Sequence, residues 1–265
     1  MSDLFKKKHE FWLKLLFGSF ALPRGEEADL LEEFAKIEYR HLKWLAQRIV
    51  ENGGDFDWDR DEVKIEFENA KDLYASISDD LLALELLYGS GALYERIRSD
   101  ERYMLFKLKD APDIKISAFD RHLTYKNLDK KSLDALVLFL LEESYKEYEL
   151  ILTYTYSQIH SSDAKISQVF EDLIYESFYH LKSFAFLMAE LGILAVPRVV
   201  MKEVYRFDDL RQFLLEGIEE EKAAKEQCRI LSQAVKDEEL RRFFDFINNQ
   251  EDYHIELMQK VIERI

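Results

Sequence analysis

The sequence predicts an all-helical protein composed of two four-helix bundles in tandem. Three observations lead to this fold class. Only 8 glycines and 3 prolines occur in 265 residues, so there is little material for the tight turns that join strands. Residues that favour helix, above all Glu, Lys, Leu and Ala, recur along the whole chain. Apolar residues also repeat at the helical period in eight separate stretches.

Four of the predicted helices lie in the first half of the chain. They run at about 3–20, 26–52 and 71–99, with a weaker one at about 113–126. Between the second and the third lies the segment NGGDFDWDRDEVKIEFEN. Its two glycines and its loss of helical periodicity predict a helix stop followed by an extended crossover.

The second half of the chain is more regular. Its helices run at about 131–160, 163–191, 206–234 and 237–264. Asp163 and Asp237 stand where N-caps are expected, and Gly192 stands where a helix would stop. Eight helices divided near residue 128 predict one bundle over 1–127 and another over 128–265, with a single irregular helical domain as the alternative.

Internal similarity supports this division. Shifting the sequence by 74 positions aligns, without a gap, Glu147 with Glu221, Asp163 with Asp237, Phe170 with Phe244 and His180 with His254. A second similarity relates HLKWLAQRIVENG, which starts at His41, to HLKSFAFLMAELG, which starts at His180. Repeats of this length indicate that the helical hairpin is the unit of construction.

Composition narrows the classes of function. The formal net charge of −16 argues against a general nucleic-acid or anionic-membrane binder. Cys228 is the single cysteine, which excludes an internal disulfide and a four-cysteine iron centre within the chain. The apolar N-terminal segment is interrupted by Lys14 and predicts an amphipathic helix instead of a signal peptide. No stretch reaches the roughly 20 apolar residues of a membrane span, so a cytoplasmic location is expected.

Two Glu-x-x-His motifs are candidate sources of metal ligands: Glu38 with His41, and Glu251 with His254. Positions i and i+3 of a helix share a face, so each motif directs a carboxylate and an imidazole at one point. One such motif is a weak signal in a chain with 53 acidic residues. A carboxylate on the preceding helix strengthens the signal of the second motif. Glu221 precedes Glu251 by 30 positions, about 15 residues up one helix and about 15 down the next, which returns both residues to one level.

Glu147 stands in the same relation to position 177, and its neighbours at +3 and +7 are apolar or nearly so. A carboxylate directed into a helical core is costly unless it is paired or binds a metal. Two facing hairpins would then supply the carboxylates and imidazoles of a dinuclear metal site. A buried Glu–His hydrogen-bond network without metal is the alternative.

The stretch EEKAAKEQCRILSQAVKDEELRRFFDFINNQEDYHIELM resembles a rubrerythrin-type hairpin of the ferritin-like superfamily. In the first half, FAKIEYRHLKWLAQRIVENGG resembles the second helix of bacterioferritin, and DLLALELLYGSGALYE resembles its third. The resemblance covers most of the chain and is weakest over 100–118. It implies four-helix bundles that bind two iron ions, or manganese, and that react with dioxygen or hydrogen peroxide.

In the second half the resemblance implies metal ligands at Glu147, His180, Glu221, Glu251 and His254. Ser177 departs from the pattern, which has Glu at this position. Glu176 is one place away, about 100° around the helix, and would reach the site if the helix were locally overwound or bulged.

In the first half the matching residues are Glu10, Glu38, His41 and Glu85. His122 is the candidate for a second imidazole, but Phe119 occupies the carboxylate position of that motif. Both predicted sites therefore lack one carboxylate. The first is expected to be the weaker or empty one, because Pro112 should interrupt the helix that would complete it.

Two functions follow as hypotheses. One is a di-iron or di-manganese oxidoreductase that oxidises ferrous iron or reduces peroxide, with a separate protein as its electron donor and a homodimer as the expected assembly. The other is a degenerate, catalytically inactive tandem bundle that serves as a binding or assembly module. Fold resemblance alone does not decide between them.

Overall fold

The computed structural model describes residues 2–65, 67–110, 112–116, 128–194 and 196–265. Over these residues the chain forms nine α-helices and no strand, and it is 77% helical. The predicted all-helical class is therefore confirmed. None of the described helices is both long enough and apolar enough to cross a membrane.

The chain divides into two compact units. The first comprises Met1–His122 together with Ala189–Met201, and the second comprises Leu123–Met188 together with Lys202–Ile265. The division predicted near residue 128 assigned Ala189–Met201 to the second half, whereas the structure groups this segment with the first.

Four long helices form the first unit: α1 (Ser2–Ala21), α2 (Glu26–Glu51), α3 (Ala70–Glu85) and α4 (Ala92–Lys107). Helix α1 packs along α2 and also contacts α3, while α4 contacts both α2 and α3. The core is largely aromatic where α1 faces it, with Trp12 and Phe17 buried there. Trp58, on the non-helical segment that joins α2 to α3, is buried as well.

The prediction of a single helix over 71–99 is wrong. Helix α3 ends at Glu85 and α4 begins at Ala92, after a turn that contains Gly89 and Gly91. Gly91 has a backbone φ of +122°, which residues other than glycine rarely adopt. An α-helix cannot continue through a residue with this angle. The fourth long helix of the first unit is therefore α4.

The weak helix predicted over 113–126 is not formed in its described part. Ile114 accepts a hydrogen bond from the Ala70 N–H at 2.7 Å, and the Ile116 N–H donates to Glu68 at 3.0 Å, so this stretch is extended and forms a bridge with the start of α3. The remainder of the prediction, 117–126, lies outside the described residues.

The second unit also contains four long helices, α5 (Lys130–His160), α6 (Ala164–Glu190), α8 (Leu210–Ala234) and α9 (Glu238–Ile262), and a short helix, α7 (Lys202–Tyr205). The predicted N-caps are confirmed. The Asp163 side chain accepts from the Lys165 N–H at 2.7 Å, and Asp237 caps α9 in the same way. Helices α8 and α9 form a tightly packed hairpin.

Candidate metal centres

The five residues inferred as ligands in the second half converge in the core of the second unit. Glu147 comes from α5, His180 from α6, Glu221 from α8, and Glu251 and His254 from α9. Each is at most 1% exposed. They form two groups of three whose candidate ligand atoms lie within 4.8 Å of one another, and His254 belongs to both. The groups are Glu147–His180–His254 and Glu221–Glu251–His254.

Helical periodicity explains this convergence. Glu147 and Glu221 stand on buried stripes of α5 and α8, with Leu150 and Ala224 buried one turn further along. A helix buries every residue on its inward stripe, so these carboxylates enter the core with their apolar neighbours. The Glu251–His254 pair reaches the same place from α9, because positions i and i+3 share a face.

The five side chains are in close contact. His180 Nδ1 lies 3.0 Å from Glu147 Oε1 and 3.6 Å from Glu251 Oε1. His254 Nδ1 lies 3.4 Å from Glu251 Oε2, and the two imidazole centroids are 4.8 Å apart. Three carboxylates and two imidazoles therefore share one buried volume.

Much of the hydrogen-bonding capacity of this cluster is unused. Six buried atoms of the five residues find no hydrogen-bond partner among the described residues: Glu147 Oε2, His180 Nε2, Glu221 Oε2, Glu251 Oε2, His254 Nδ1 and His254 Nε2. Each such group costs on the order of 1–3 kcal/mol relative to water. The hydroxyl of Ser177 is also buried, and it lies beside Glu147, whose pKa it lowers against the larger effect of burial. Carboxylate oxygens and one lone-pair nitrogen of each neutral imidazole, directed into one volume, are donor atoms that could bind a cation.

Burial sets the protonation of the cluster. It lowers the pKa of His180 to about 4 and also lowers that of His254, so both imidazoles are neutral near pH 7. Neutral imidazole is the form that binds metals. Burial and the neighbouring Glu221 carboxylate raise the pKa of Glu251. Burial also raises the pKa of Glu147, to about 7. Without a cation, the protein therefore holds part of its carboxylate set protonated.

A lysine at the rim of the cluster was missed by the sequence reasoning. Lys146 Nζ lies 3.3 Å from Glu221 Oε1, and 20% of its side chain is exposed. Burial alone would raise the pKa of Glu221, but the Lys146 ammonium lowers it. Glu143, one turn before Glu147, is mostly buried, and burial raises its pKa to about 7. Glu143 could have been recognised in the sequence from its position four residues before Glu147. Nothing in the sequence indicates that Lys146 lies at the rim of the cluster.

The structure does not bring Glu176 into the cluster. It is half-buried and belongs to neither group of three, whereas Ser177 takes the fully buried inward position. Helix α6 is continuous through this point, with no overwound turn or bulge to rotate Glu176 inward. Burial raises the pKa of Glu176, and His180 opposes this.

The first unit contains a different cluster. Of the four ligands inferred there, Glu38 and His41 are fully buried in the core. Glu10 instead accepts from Lys7 Nζ at 2.8 Å and from the Asp61 N–H at 2.9 Å, and Glu85 accepts from Arg102 at 2.8 Å near the surface. Helix α1 directs Lys8 inward in place of Glu10, and α3 ends at Glu85.

Two residues that the sequence reasoning missed complete this cluster. Glu101 on α4 is 3% exposed, and its ligand atom lies within 4.8 Å of those of Glu38 and His41. Lys8 Nζ donates to Glu101 Oε1 at 2.8 Å, lies 3.3 Å from His41 Nδ1 and forms an ion pair with Glu38 Oε2. The Tyr88 hydroxyl also donates to Glu101 Oε1. Phe119 and His122 lie outside the described residues.

The lysine dominates the electrostatics of this cluster. Burial alone would raise the pKa of Glu38, but Lys8 and His41 lower it to about 2. Burial and the Glu38 carboxylate raise the pKa of Glu101, while Lys8 opposes them. On its outer side, His41 Nε2 lies 3.2 Å from Asp100 Oδ2. The described residues of this cluster therefore include a cation of their own, the ammonium of Lys8.

No protein-family model, curated protein or solved structure matches the chain. The proposals below therefore depend on the residues themselves.

Proposed function

We propose that the second unit is a ferritin-like four-helix bundle that binds two redox-active metal ions, iron or manganese, and that the chain is an oxidoreductase. The observation that carries this proposal is the buried convergence of Glu147, His180, Glu221, Glu251 and His254, in which six polar atoms find no hydrogen-bond partner among the described residues. Two overlapping groups of three candidate ligands suit two ions better than one.

The donor set fits these metals. Carboxylate oxygen and imidazole nitrogen together suit iron and manganese, and no thiolate takes part. Three carboxylates offset part of the charge of two divalent ions, and Glu143 adds a fourth acidic group one turn away on α5. Because burial lowers the pKa of both histidines, each is neutral near pH 7 and has one ring nitrogen with a lone pair for a metal.

Metal ions held here would exchange electrons with dioxygen, hydrogen peroxide or ferrous iron as substrate. The surrounding side chains would exclude bulk water, because Tyr154, Phe170 and Phe184 are all fully buried in the same unit. Lys146 would hold Glu221 in position by its ion pair. With Cys228 as its single cysteine, the chain holds no cysteine cluster, so an electron donor for peroxide reduction would be a separate protein.

Metal content tests the proposal most directly. The full chain, purified without chelator, is expected to carry about two iron or manganese ions, measured by inductively coupled plasma mass spectrometry. His254→Ala removes the residue shared by both groups and is expected to abolish binding at both positions. Glu176→Gln, a half-buried change on α6 outside both groups, is the matched control and should leave metal content unchanged. A wild-type chain that takes up no metal from added ferrous or manganous ion would overturn the proposal.

Ser177 favours the second candidate, a binding or assembly module without catalysis. This fully buried serine stands where the ferritin-like pattern has a carboxylate, and a hydroxyl cannot bridge two cations as an anion does. The two candidates separate in a kinetic assay of ferrous-iron oxidation with dioxygen or peroxide. Rapid oxidation that His254→Ala eliminates supports the oxidoreductase, and metal binding without any such reaction supports the module.

A further inference from the structure

Lys8 is an unusual core residue, because its side chain is completely buried. An ammonium removed from water is tolerated only when anions and hydrogen-bond acceptors surround it. Lys8 Nζ meets this requirement through three residues on two other helices, Glu38 and His41 of α2 and Glu101 of α4. These three residues are also a candidate metal-binding group, with ligand atoms within 4.8 Å of one another.

Lys8 corresponds in sequence to one of the candidate metal ligands of the second unit. A shift of 139 positions, the separation of His41 from His180, aligns Lys8 with Glu147 and Glu38 with Ser177. The correspondence holds in space. Lys8 Nζ lies 3.3 Å from the Nδ1 of the histidine 33 residues later, and Glu147 Oε1 lies 3.0 Å from the Nδ1 of the histidine 33 residues later in its own unit.

We propose that the Lys8 ammonium is a tethered cation that takes the place of a metal ion, and that Glu38, His41 and Glu101 form a latent divalent-metal site which this lysine keeps closed. The ammonium contacts all three candidate ligands, as a bound ion would. Its positive charge also compensates the negative charge of the two buried carboxylates, so the cluster does not need a metal to be stable.

A free metal ion cannot compete with this lysine on equal terms. The ammonium is covalently attached to α1, so its effective concentration at the cluster does not depend on solution conditions. A metal would have to displace the Lys8 side chain from a core in which it is fully buried. Closure therefore requires the ammonium, and removing it should expose the site.

The test is Lys8→Ala in the full chain, titrated with Mn²⁺ and separately with Zn²⁺. This variant should bind about one more ion per chain than the wild type, and its melting temperature should rise by about 5 °C or more on saturation. Lys14→Ala is the matched control. Lys14 lies on the same helix and pairs with Asp80 and Ser76, so its loss should add no ion.

A second variant assigns the extra ion. Lys8→Ala combined with Glu101→Gln should return the metal content to that of the wild type, whether or not the second unit is loaded. The proposal is overturned if Lys8→Ala binds no additional ion at saturating metal. It is equally overturned if Lys8→Ala unfolds and metal does not restore its folding.

Discussion

The two units bury similar sets of side chains but balance their charge differently. In the first, two carboxylates and an imidazole surround the ammonium of Lys8. In the second, three carboxylates and two imidazoles lie together, and Lys146 at the rim is the basic side chain that the described residues place beside them. A buried carboxylate needs a counter-charge, a proton or a metal. The first unit carries its counter-charge within the cluster, whereas in the second Lys146 offsets only part of the charge and the pKa values of Glu147 and Glu251 are raised. Substitutions that remove or add a buried charge are therefore expected to change the stability of the two units in opposite directions.

The largest expected effect is the loss of the internal cation. Lys8→Met keeps the length of the side chain but leaves Glu38 and Glu101 uncompensated in the core. In metal-free buffer the free energy of unfolding should fall by about 3–5 kcal/mol. Urea denaturation of the full chain measures this, with Lys14→Met as the control expected to lose less, because its partner Asp80 is exposed. Equal losses in the two variants would contradict the role assigned to Lys8.

Adding a carboxylate to the second unit should have an effect whose sign depends on metal. Ser177→Glu places a fourth carboxylate at a fully buried position. Without metal it should lower the free energy of unfolding by about 2–4 kcal/mol, since a further buried charge is added. With saturating ferrous or manganous ion it should instead raise both metal occupancy and melting temperature. Destabilisation of the same size in both conditions would mean that no cation binds there.

Removing a carboxylate from the second unit should have the reverse effect. Glu147→Gln relieves a buried acid whose pKa is raised to about 7, so the metal-free protein should gain about 1 kcal/mol. Glu38→Gln in the first unit should be destabilising, because it removes an anion that pairs with Lys8. Both variants are compared with the wild type by thermal melting in chelator. If both were destabilising, the contrast between the units would fail.

The smallest expected effect is a difference in pH dependence. Glu38, with its pKa lowered to about 2, contributes stability above pH 4.5 that is lost as pH falls towards 2. Glu143, with its pKa raised to about 7, contributes stability below pH 4.5 that is lost as pH rises through 7. Glu38→Gln should flatten the acid side of the metal-free stability profile, and Glu143→Gln the neutral side. If Glu38→Gln changed the neutral side and Glu143→Gln the acid side, the directions of the two pKa shifts would be refuted.

The residues that converge in the second unit could be found from the sequence: helix spacing relates Glu221, Glu251 and His254, and the family resemblance adds Glu147 and His180. The i, i+3 spacing within α9 and the separation of 30 between Glu221 and Glu251 depend on rise and turn, which are local properties. Whether these residues bind metal is a further question that the spacing does not answer, and it stays a prediction.

The cluster of the first unit could not be found in this way. Glu10 and Lys8 are two residues apart, about 200° around α1, and tertiary packing decides which of them faces the core. Glu101 lies on a helix that begins after Gly91, six residues beyond the end of α3, and the apolar periodicity of 71–99 conceals that break. A lysine is also an unexpected core residue, because its burial is favourable only once its three partners are in position.

The segment Ala189–Met201 has a consequence for how the chain is made. It belongs to the first unit, where the Arg60 guanidinium donates to the Pro197 carbonyl across 137 positions of sequence. Contacts of this separation form late, because a long loop must close before they are gained. During synthesis, α5 and α6 will have been translated before residue 201 appears. The first unit therefore cannot complete its folding before α5 and α6 have been translated, and a fragment ending at residue 128 would lack the part of this unit that Ala189–Met201 supplies.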